Sequence, residues 1–344
     1  YLERVGMTPL FMWAGGKTKL INNEYTPHMP QSFDRYHEPF FGGGAMFIWA
    51  YETNPNAEFY INDINPDIVN IYKSIRDDVD EFVKIVDRFA TKYMSLSPPK
   101  RRDRSSGKVE WVDDPDGMKD AALEKKYKLP HNKYDWHKIF SEQQTRRTFF
   151  FKVRQMYQED YSDWSRTEEA ATLYFLMKTA FNGVWQLGKG HERFNTPCGL
   201  MRHDKEVYDK ENVMLWHEAL QNSVITSSDF SETIEQVGKG SYVFLDPPYR
   251  SASDTEKTFA DYGTELSDDF QEKVLDFFHR SCDSGAYSLL SNRDWGDNFF
   301  EERNKGCKIE YFDITYTVGR KKKQEDDTHT ATKATEILMI GGDK

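Results

Sequence analysis

Cysteine is scarce in this 344-residue chain: Cys198, Cys282 and Cys307 are odd in number and widely spaced. That argues against a disulfide framework and a cysteine-rich zinc site, and for a reducing cytoplasm. The nine histidines show no ligand spacing, so no metal is expected. No run of about 18 or more apolar residues occurs, so no transmembrane helix is expected. The first residues, Tyr1-Leu2-Glu3-Arg4, carry no apolar h-region, so no signal peptide is expected either. Internal repeats are absent. Positive charge is in deficit: 46 Lys and Arg face 57 Asp and Glu, a net charge of -11. Taken alone, that balance counts against nucleic acid, because phosphate contacts need Lys and Arg. The basic residues are clustered, however, at Lys100-Arg101-Arg102-Asp103-Arg104, at Arg146-Arg147 with Lys152 and Arg154, and at Arg320-Lys321-Lys322-Lys323. Acid concentrates elsewhere, as in Asp77-Asp78-Val79-Asp80-Glu81 and Asp268-Asp269. An acidic body with a locally basic cleft is compatible with DNA, and a solvated charged face explains any single cluster equally well.

What is present is a globular composition, 38% apolar and 15% aromatic, long enough for two domains. Residues 36–38 lead into a glycine-rich turn and the apolar run 45–51. A strand over 58–61, an acid at Asp63 and a helix over 66–75 follow. Further on, 241–245 reads as a buried strand, 267–284 as a helix and 287–290 as a strand. A helix near 294–302 and strands at 308–314 and 335–340 complete the pattern. Alternating strands and helices predict an α/β fold, a mostly parallel sheet with helices on both faces. The middle differs. Residues 97–150 are polar and punctuated by Pro98-Pro99, Ser105-Ser106-Gly107 and Asp113-Asp114-Pro115-Asp116-Gly117, and they read as loops. Ser165-Arg166-Thr167-Glu168 is a capping box ahead of a helix to about Phe181. A second domain inserted into the α/β unit over 77–204 explains this layout.

Five motifs carry chemistry. Asp246-Pro247-Pro248-Tyr249 follows the apolar strand directly, at the carboxyl end where open α/β sheets bind ligands. Such a set suits the exocyclic amine of adenine, a poor nucleophile whose lone pair is delocalised into the ring. The Asp246 carboxylate and the Pro247 carbonyl can accept its two N–H groups, which favours a pyramidal nitrogen. The prolines fix the backbone, and Tyr249 offers a ring on which a flipped base can stack. The bland alternative is an Asp-Pro-Pro turn closing a strand. Second, in Glu38-Pro39-Phe40-Phe41-Gly42-Gly43-Gly44 the glycines permit positive φ and close approach to a ligand, or form only a flexible turn. Third, Asp63, about 20 residues beyond that turn, is placed to accept a ribose hydroxyl, or else to cap a helix. Fourth, Trp13-Ala14-Gly15-Gly16-Lys17 can hold an anion, although it lacks the first glycine of a Walker A loop, and a plain surface turn explains it too. Fifth, Phe181-Asn182-Gly183 reads as a hairpin turn ahead of Arg193-Phe194-Asn195-Thr196-Pro197-Cys198-Gly199. That loop is either a structural hairpin or a reader of base edges.

Together and in this order, the five resemble the Dam-type, α-group family of DNA adenine-N6 methyltransferases, with its phage and restriction-system members. Leu290-Ser291-Asn292 and Ala334-Thr335-Glu336-Ile337-Leu338 look like that family's later strands. The resemblance implies a Rossmann-like core over 1–76 and 205–344, dependent on S-adenosylmethionine, and a mainly helical target-recognition domain over 77–204. It implies donor contacts at Trp13, Lys17, Glu38, Pro39, Phe40, Gly42, Gly44, Asp63 and Asp246. It implies catalysis by Asp246, Pro247, Pro248 and Tyr249. It implies contact with double-stranded DNA through Asn182, Gln186, Lys189, Arg193 and Asn195, and a place in the bacterial nucleoid or a phage-infected cell. No membrane or metal partner is implied. Where the family tends to carry Arg shortly after Phe-Asn-Gly, this chain has Gln186. Gln pairs with adenine edges and Arg more often with guanine, so a target other than GATC is expected. Lys321 to Asp327 interrupts the late hairpin with alternating blocks of charge.

Competing readings stay open on the sequence. Enzymes acting on RNA or on a protein glutamine more often carry Asn-Pro-Pro-Tyr, and cytosine-N4 enzymes carry Ser in place of Asp246. A dehydrogenase is disfavoured because Phe41-Gly42-Gly43-Gly44 is not Gly-x-Gly-x-x-Gly. A DNA-binding relative without catalysis would keep salt-sensitive affinity and consume no donor.

Overall fold

The computed structural model describes residues 6–13, 16–96, 100–102, 109–111, 136–141, 145–159, 163–187, 193–199, 206–250, 267–316, 322–323, 329–330 and 332–342. The chain forms two compact units, one of Lys17–Asn65 with Asn222–Lys344, the other of Gly6–Gly16 with Pro66–Gln221.

The first unit is built on a seven-stranded sheet: β1 Arg35–Glu38, β2 Glu58–Asn62, β3 Ser223–Thr226, β4 Ser241–Leu245, β5 Tyr287–Asp294, β6 Lys308–Tyr316 and β7 Thr332–Gly341. Its order is β3-β2-β1-β4-β5-β7-β6. The first five strands pair parallel, and β7 runs antiparallel between β5 and β6. Every residue of β4 is buried, which explains its unbroken apolar sequence. Tyr36 of β1 sits in register with Phe59 of β2 and Tyr242 of β4, an aromatic layer through the centre of the sheet. The strand order reverses at β1 and β4, and the crevice outside the carboxyl ends at such a point is where these sheets take ligands. This is the mostly parallel, Rossmann-like α/β core expected. On this unit, helix α1 Ala45–Thr53 follows the glycine-rich turn, and helix α7 Asp268–Asp283 starts where Ser267 accepts from the Phe270 amide and buries Val274, Leu275, Phe277 and Phe278.

Two boundaries on this side differ from the sequence pattern. β5 runs on to Asp294, where a helix is expected from about that point. The helix that follows shrinks to Phe299–Glu302. The reason is pairing, since β7 matches β5 from Ser288 to Asp294 and draws the polar Ser291 and Asn292 into a buried ladder. Likewise β6 and β7 are longer than expected because they zip together from Lys308 to Tyr316. Within the charged interruption, Lys322–Lys323 pairs with His329–Thr330, and the remaining charged residues lie outside the described set.

The second unit is mainly helical in its described parts: α2 Pro66–Asp77, α3 Val79–Ser95, α4 Arg146–Glu159, α5 Arg166–Thr179 and α6 Lys210–Leu220. Helix α5 opens on the expected capping box, with Ser165 accepting from Glu168 and Glu168 accepting in return. It ends at Thr179 and is buried almost all round, because α2, α3 and α4 pack against it. Helix α2 packs on α5 and α6, so the units change over after Asn65, not near residue 76. The segment at 6–16 joins this unit through Thr8, whose carbonyl accepts from Asn212 and Trp216 of α6. The stretch expected to be loops contains a ribbon, Lys100–Arg102 with Val109–Trp111, and the helical turns Trp136–Ser141. Its last residues already belong to α4, where Phe149, Phe150 and Phe151 are all buried. Among the described residues no helix is long and apolar enough to cross a membrane.

Candidate active site

Asp246 directly follows strand β4, and its side chain is about one-fifth exposed at 21%. Lys17, at the head of a helical stretch from Thr18 to His28, is only 4% exposed and sets its Nζ 3.3 Å from Asp246 Oδ1. The same ammonium lies 3.8 Å from Glu336 Oε2 on β7 and 4.5 Å from the centre of the Tyr249 ring. Burial raises the Asp246 carboxyl to a pKa of about 6; Lys17 opposes the rise and Glu336 adds to it. Asp246 is therefore an acceptor at neutral pH and a donor a little below it. The helical stretch has a π-turn at Ile21–Tyr25, which brings the Tyr25 hydroxyl to 2.9 Å from Ser291 Oγ and 3.5 Å from Glu336 Oε2.

The turn after Asp246 is held by side chains far away in sequence. Gln271, on α7, donates to the Pro248 carbonyl at 2.8 Å and accepts from Asn292 at 2.9 Å. Asn292 in turn accepts from the Arg250 amide at 3.3 Å, and the Trp295 indole donates to the Arg250 carbonyl at 2.8 Å. The Arg250 guanidinium pairs with Asp268 and Asp297 and lies against the Phe299 ring. Gln271 carries no sequence signal of this task. Only its burial in a helix of otherwise amphipathic pattern hints at one.

Beside this turn, the end of β1 enters the glycine motif. Gly42 and Gly44 adopt φ of 49° and 67°, the left-handed region that glycine enters without strain. Asp63, at the end of β2, accepts from the Gly42 amide at 2.8 Å and from the Asn65 amide at 2.9 Å. It thus ties the glycine turn to the start of the next segment, and burial raises its pKa. Each carboxylate oxygen can still accept another hydrogen. Glu38 is 3% exposed, takes the Tyr36 hydroxyl at 2.6 Å and the Phe47 amide, and is held well above the usual carboxylate range by burial. The Pro39 carbonyl accepts from Asn62 Nδ2 at 3.1 Å, and the Phe40 ring packs 4.9 Å from Phe230. Asn62, which sequence reasoning passed over, also accepts from Thr226 and Ser228, fastening the carboxyl ends of β1, β2 and β3.

Lys17, Asp246 and Tyr249 thus converge on one cluster, while Gly42 and Asp63 are joined at the neighbouring strand ends. Trp13 belongs to the second unit, where its ring packs 6.0 Å from Phe11. In that unit the Asn182-Gly183 pair does adopt positive φ, 55° and 62°, yet it is not the hairpin tip. Antiparallel bridges join Ala180 to Cys198 and Leu187 to Phe194, and the pair lies by the first of them, at the base of this arm. Gly199 closes that base: a Cβ there would lie 2.4 Å from the Ala180 carbonyl oxygen. Asn182 is exposed and Gln186 half-buried, while Lys189 lies outside the described residues. Arg193 is turned inward, donating to the Tyr157 carbonyl at 2.9 Å and sitting 3.6 Å from Glu169. The Asn195 side chain accepts from Gln158 at 3.0 Å.

The basic cluster of α4, which the sequence left open between a basic cleft and a solvated charged face, is interior instead. Arg146, Arg147, Lys152 and Arg154 are all under 9% exposed. Arg146 donates to the carbonyls of Tyr93 and Met94, and Arg154 to those of Asn195 and Thr196. Arg146 thus caps the last turn of α3 and Arg154 holds the carbonyls of Asn195 and Thr196, a structural use of charge.

A Rossmann-like sheet with Asp-Pro-Pro-Tyr at the end of its fourth strand and a glycine turn at the end of its first defines a methyltransferase. Residues 13–98 and 127–324 match the family model described as D12 class N6 adenine-specific DNA methyltransferase, and the chain belongs to that family. It is 26% identical over 306 residues to the Type II methyltransferase M.MjaIII of Methanocaldococcus jannaschii, covering 88% of this chain and 89% of that one. It is 25% identical to the Type II methyltransferase M1.LlaDCHI of Lactococcus lactis subsp. cremoris, covering 98% of this chain and 96% of that one. A DNA adenine methylase of Serratia marcescens is 23% identical over 82% of each chain.

Proposed function

We propose that this adenine-specific DNA methyltransferase acts on a flipped adenine in duplex DNA, takes its methyl group from S-adenosylmethionine, and reads its target with the second unit. The observation that carries the reading is Asp246, poised as a carboxylate beside Lys17 and Tyr249 at the end of β4. The donor fits the neighbouring strand ends. Gly42 and Gly44 leave the backbone bare, and Asp63 retains acceptor capacity for a ribose hydroxyl. When bound, S-adenosylmethionine supplies an electrophilic methyl on a sulfonium.

Asp246 and the Pro247 carbonyl accept the two N–H groups of the adenine amine, which aims the nitrogen lone pair. Gln271 occupies the Pro248 carbonyl, so the turn is held from behind. Tyr249 stacks on the base. The chain contributes position and an aligned acceptor, which supply most of the rate in a transfer between two bound reactants. Lys17, Phe40 and Pro39 belong to the donor side, with Glu38 fixing the glycine turn. On the DNA side we assign Asn182, Gln186, Lys189 and Asn195 to the target, with Arg193 bracing the loop that carries them. Such an enzyme works where bacterial or phage DNA lies, in the cytoplasm.

The test is long-read sequencing of DNA from cells expressing the chain beside an Asp246→Ala control. Methylated adenine in one short motif, absent from the control, is the expected result. Unmodified DNA in both cultures, or modified DNA in both, sinks the assignment.

A further inference from the structure

Around Asp246 the side chains close a ring that the proposed chemistry does not by itself require. Lys17 Nζ lies 3.3 Å from Asp246 and 3.8 Å from Glu336. Glu336 accepts from the Tyr25 hydroxyl at 3.5 Å, and Tyr25 shares a 2.9 Å hydrogen bond with Ser291. Ser291 bonds the Tyr249 hydroxyl at 3.3 Å, and the Tyr249 ring lies under the Lys17 ammonium. Glu336 is 1% exposed, and it stands at a position of β7 flanked by Thr335 and the buried Ile337. A carboxylate so deep in a sheet is costly unless it is paired. An apolar residue would pack the sheet more cheaply, so its presence calls for a use.

We propose that Glu336 is a positioning residue for methyl transfer: it holds the Lys17 ammonium between two carboxylates, so that Lys17 does not collapse onto Asp246 and stays over the Tyr249 ring. The argument is electrostatic. One cation facing a single buried carboxylate forms a tight pair, and the acceptor lone pairs of Asp246 are then spent on the ammonium. With a second carboxylate drawing on the same cation, Asp246 keeps acceptor strength for the amine. Tyr25 donates to the same Glu336 oxygen that faces Lys17, and Ser291 couples that support to the hydroxyl of Tyr249. The ring therefore links the acceptor of the amine hydrogens to the aromatic face on which the base stacks. Every member comes from the sheet unit. The inference rests on the reading that Asp246 accepts the amine hydrogens.

Among the described residues, the charged and titratable groups facing Asp246 are Lys17, Glu336, Tyr249, Tyr25, Tyr36 and Glu38. Of these, Lys17 and Glu336 are the paired charges at its carboxylate, and Glu336 raises its pKa while Lys17 lowers it. Glu336→Gln keeps shape and removes one charge. Single-turnover methylation of adenine-containing DNA across pH 5 to 9 should then show two changes. The plateau rate falls about tenfold, short of the roughly 100-fold that a 1 Å misplacement can cause. The acid limb moves to lower pH, because Asp246 loses the neighbour that resists its ionisation. Affinity for DNA stays at the wild-type value. Tyr25→Phe keeps the Glu336 charge but removes the hydroxyl that donates to it, so kcat falls without a rise in KM and the acid limb stays in place. A wild-type rate and acid limb in Glu336→Gln overturns the proposal. If that variant does not fold, an unchanged kcat in Tyr25→Phe overturns it equally. An Asp246→Ala enzyme that still methylates DNA fails the underlying reading first; a dead Asp246→Ala beside a wild-type Glu336→Gln removes only this inference.

Discussion

Both units of this protein bury positive charge, and they use it in opposite ways. In the sheet unit the Lys17 ammonium faces two carboxylates and an aromatic ring. In the helical unit Arg146 and Arg154 face backbone carbonyls of Tyr93, Met94, Asn195 and Thr196. A carbonyl cannot titrate, so the second arrangement is fixed over the whole working range of pH and serves to shape loops. A carboxylate can titrate, so the first arrangement stores a choice of protonation state at the end of β4. Around Lys17 the buried charge serves chemistry because its partners are ionisable, and in α4 it serves architecture because its partners are main-chain carbonyls.

The strongest way to break that comparison is Asp246→Asn. It should cost at least about 100-fold in methyl transfer, the lower end of what a positioned acceptor contributes. It should also stabilise the fold at pH 7. Asp246 has a folded pKa of about 6 against an ordinary 3.8, so the folded state binds its proton more tightly. For an acid of raised pKa, stability declines as pH rises between those two values and stays lower above them. At about 1.4 kcal/mol per pH unit the gain is at most about 3 kcal/mol, less for a group that is partly exposed. Calorimetric melting at pH 7 and pH 4 checks the sign: the variant should exceed wild type at pH 7 and match it at pH 4. The same pKa puts the acid limb of wild-type activity near pH 6.

Arg154→Ala attacks the other half. It strips donors from the Asn195 and Thr196 carbonyls and should destabilise the protein by about 2–3 kcal/mol. Donor affinity should be retained and sequence selectivity relaxed, as read from binding calorimetry and a methylome. Unchanged stability would show that the buried guanidinium is not what holds the hairpin. Asp63→Ala removes a carboxylate that bonds the Gly42 amide and is assigned to the donor. Donor affinity should weaken by about 1.5–3 kcal/mol, with DNA affinity intact; an equal loss of both points to collapse of the strand ends. The smallest effect expected is that of Gln186→Arg, on the hairpin. It should alter which sequence is methylated, by about 1–3 kcal/mol of discrimination at one base, while the rate on the preferred site stays near wild type. The same methylated motif in both enzymes would take Gln186 out of the DNA contact.

Much of this was legible without coordinates where the signal is local. The buried strand before Asp246, the capping box at Ser165 and the helix between Ser267 and Ser284 follow from runs of a few residues whose patterning decides them. The length of β5 was not legible, because Ser291 and Asn292 read as polar and only pairing with β7 makes them strand. The basic run of α4 misled for a related reason. Charge in a sequence carries no label of inside or outside, and four cations near one another resemble a surface until their carbonyl partners are in view.

By itself the sequence determined the alternation of strands and helices around the glycine turn and Asp246, the glycines that need positive φ, and the acid and prolines at the end of β4. Each is dictated by neighbours in the chain. Tertiary structure alone decided that Lys17 and Glu336, from opposite ends of the chain, meet at Asp246, and that Gln271 and Asn292 hold the turn behind it. The physical reason is that a pKa near 6 and an aligned acceptor arise from burial and from charges a few ångströms away, and the parallel sheet assembles those neighbours from segments that no local pattern connects.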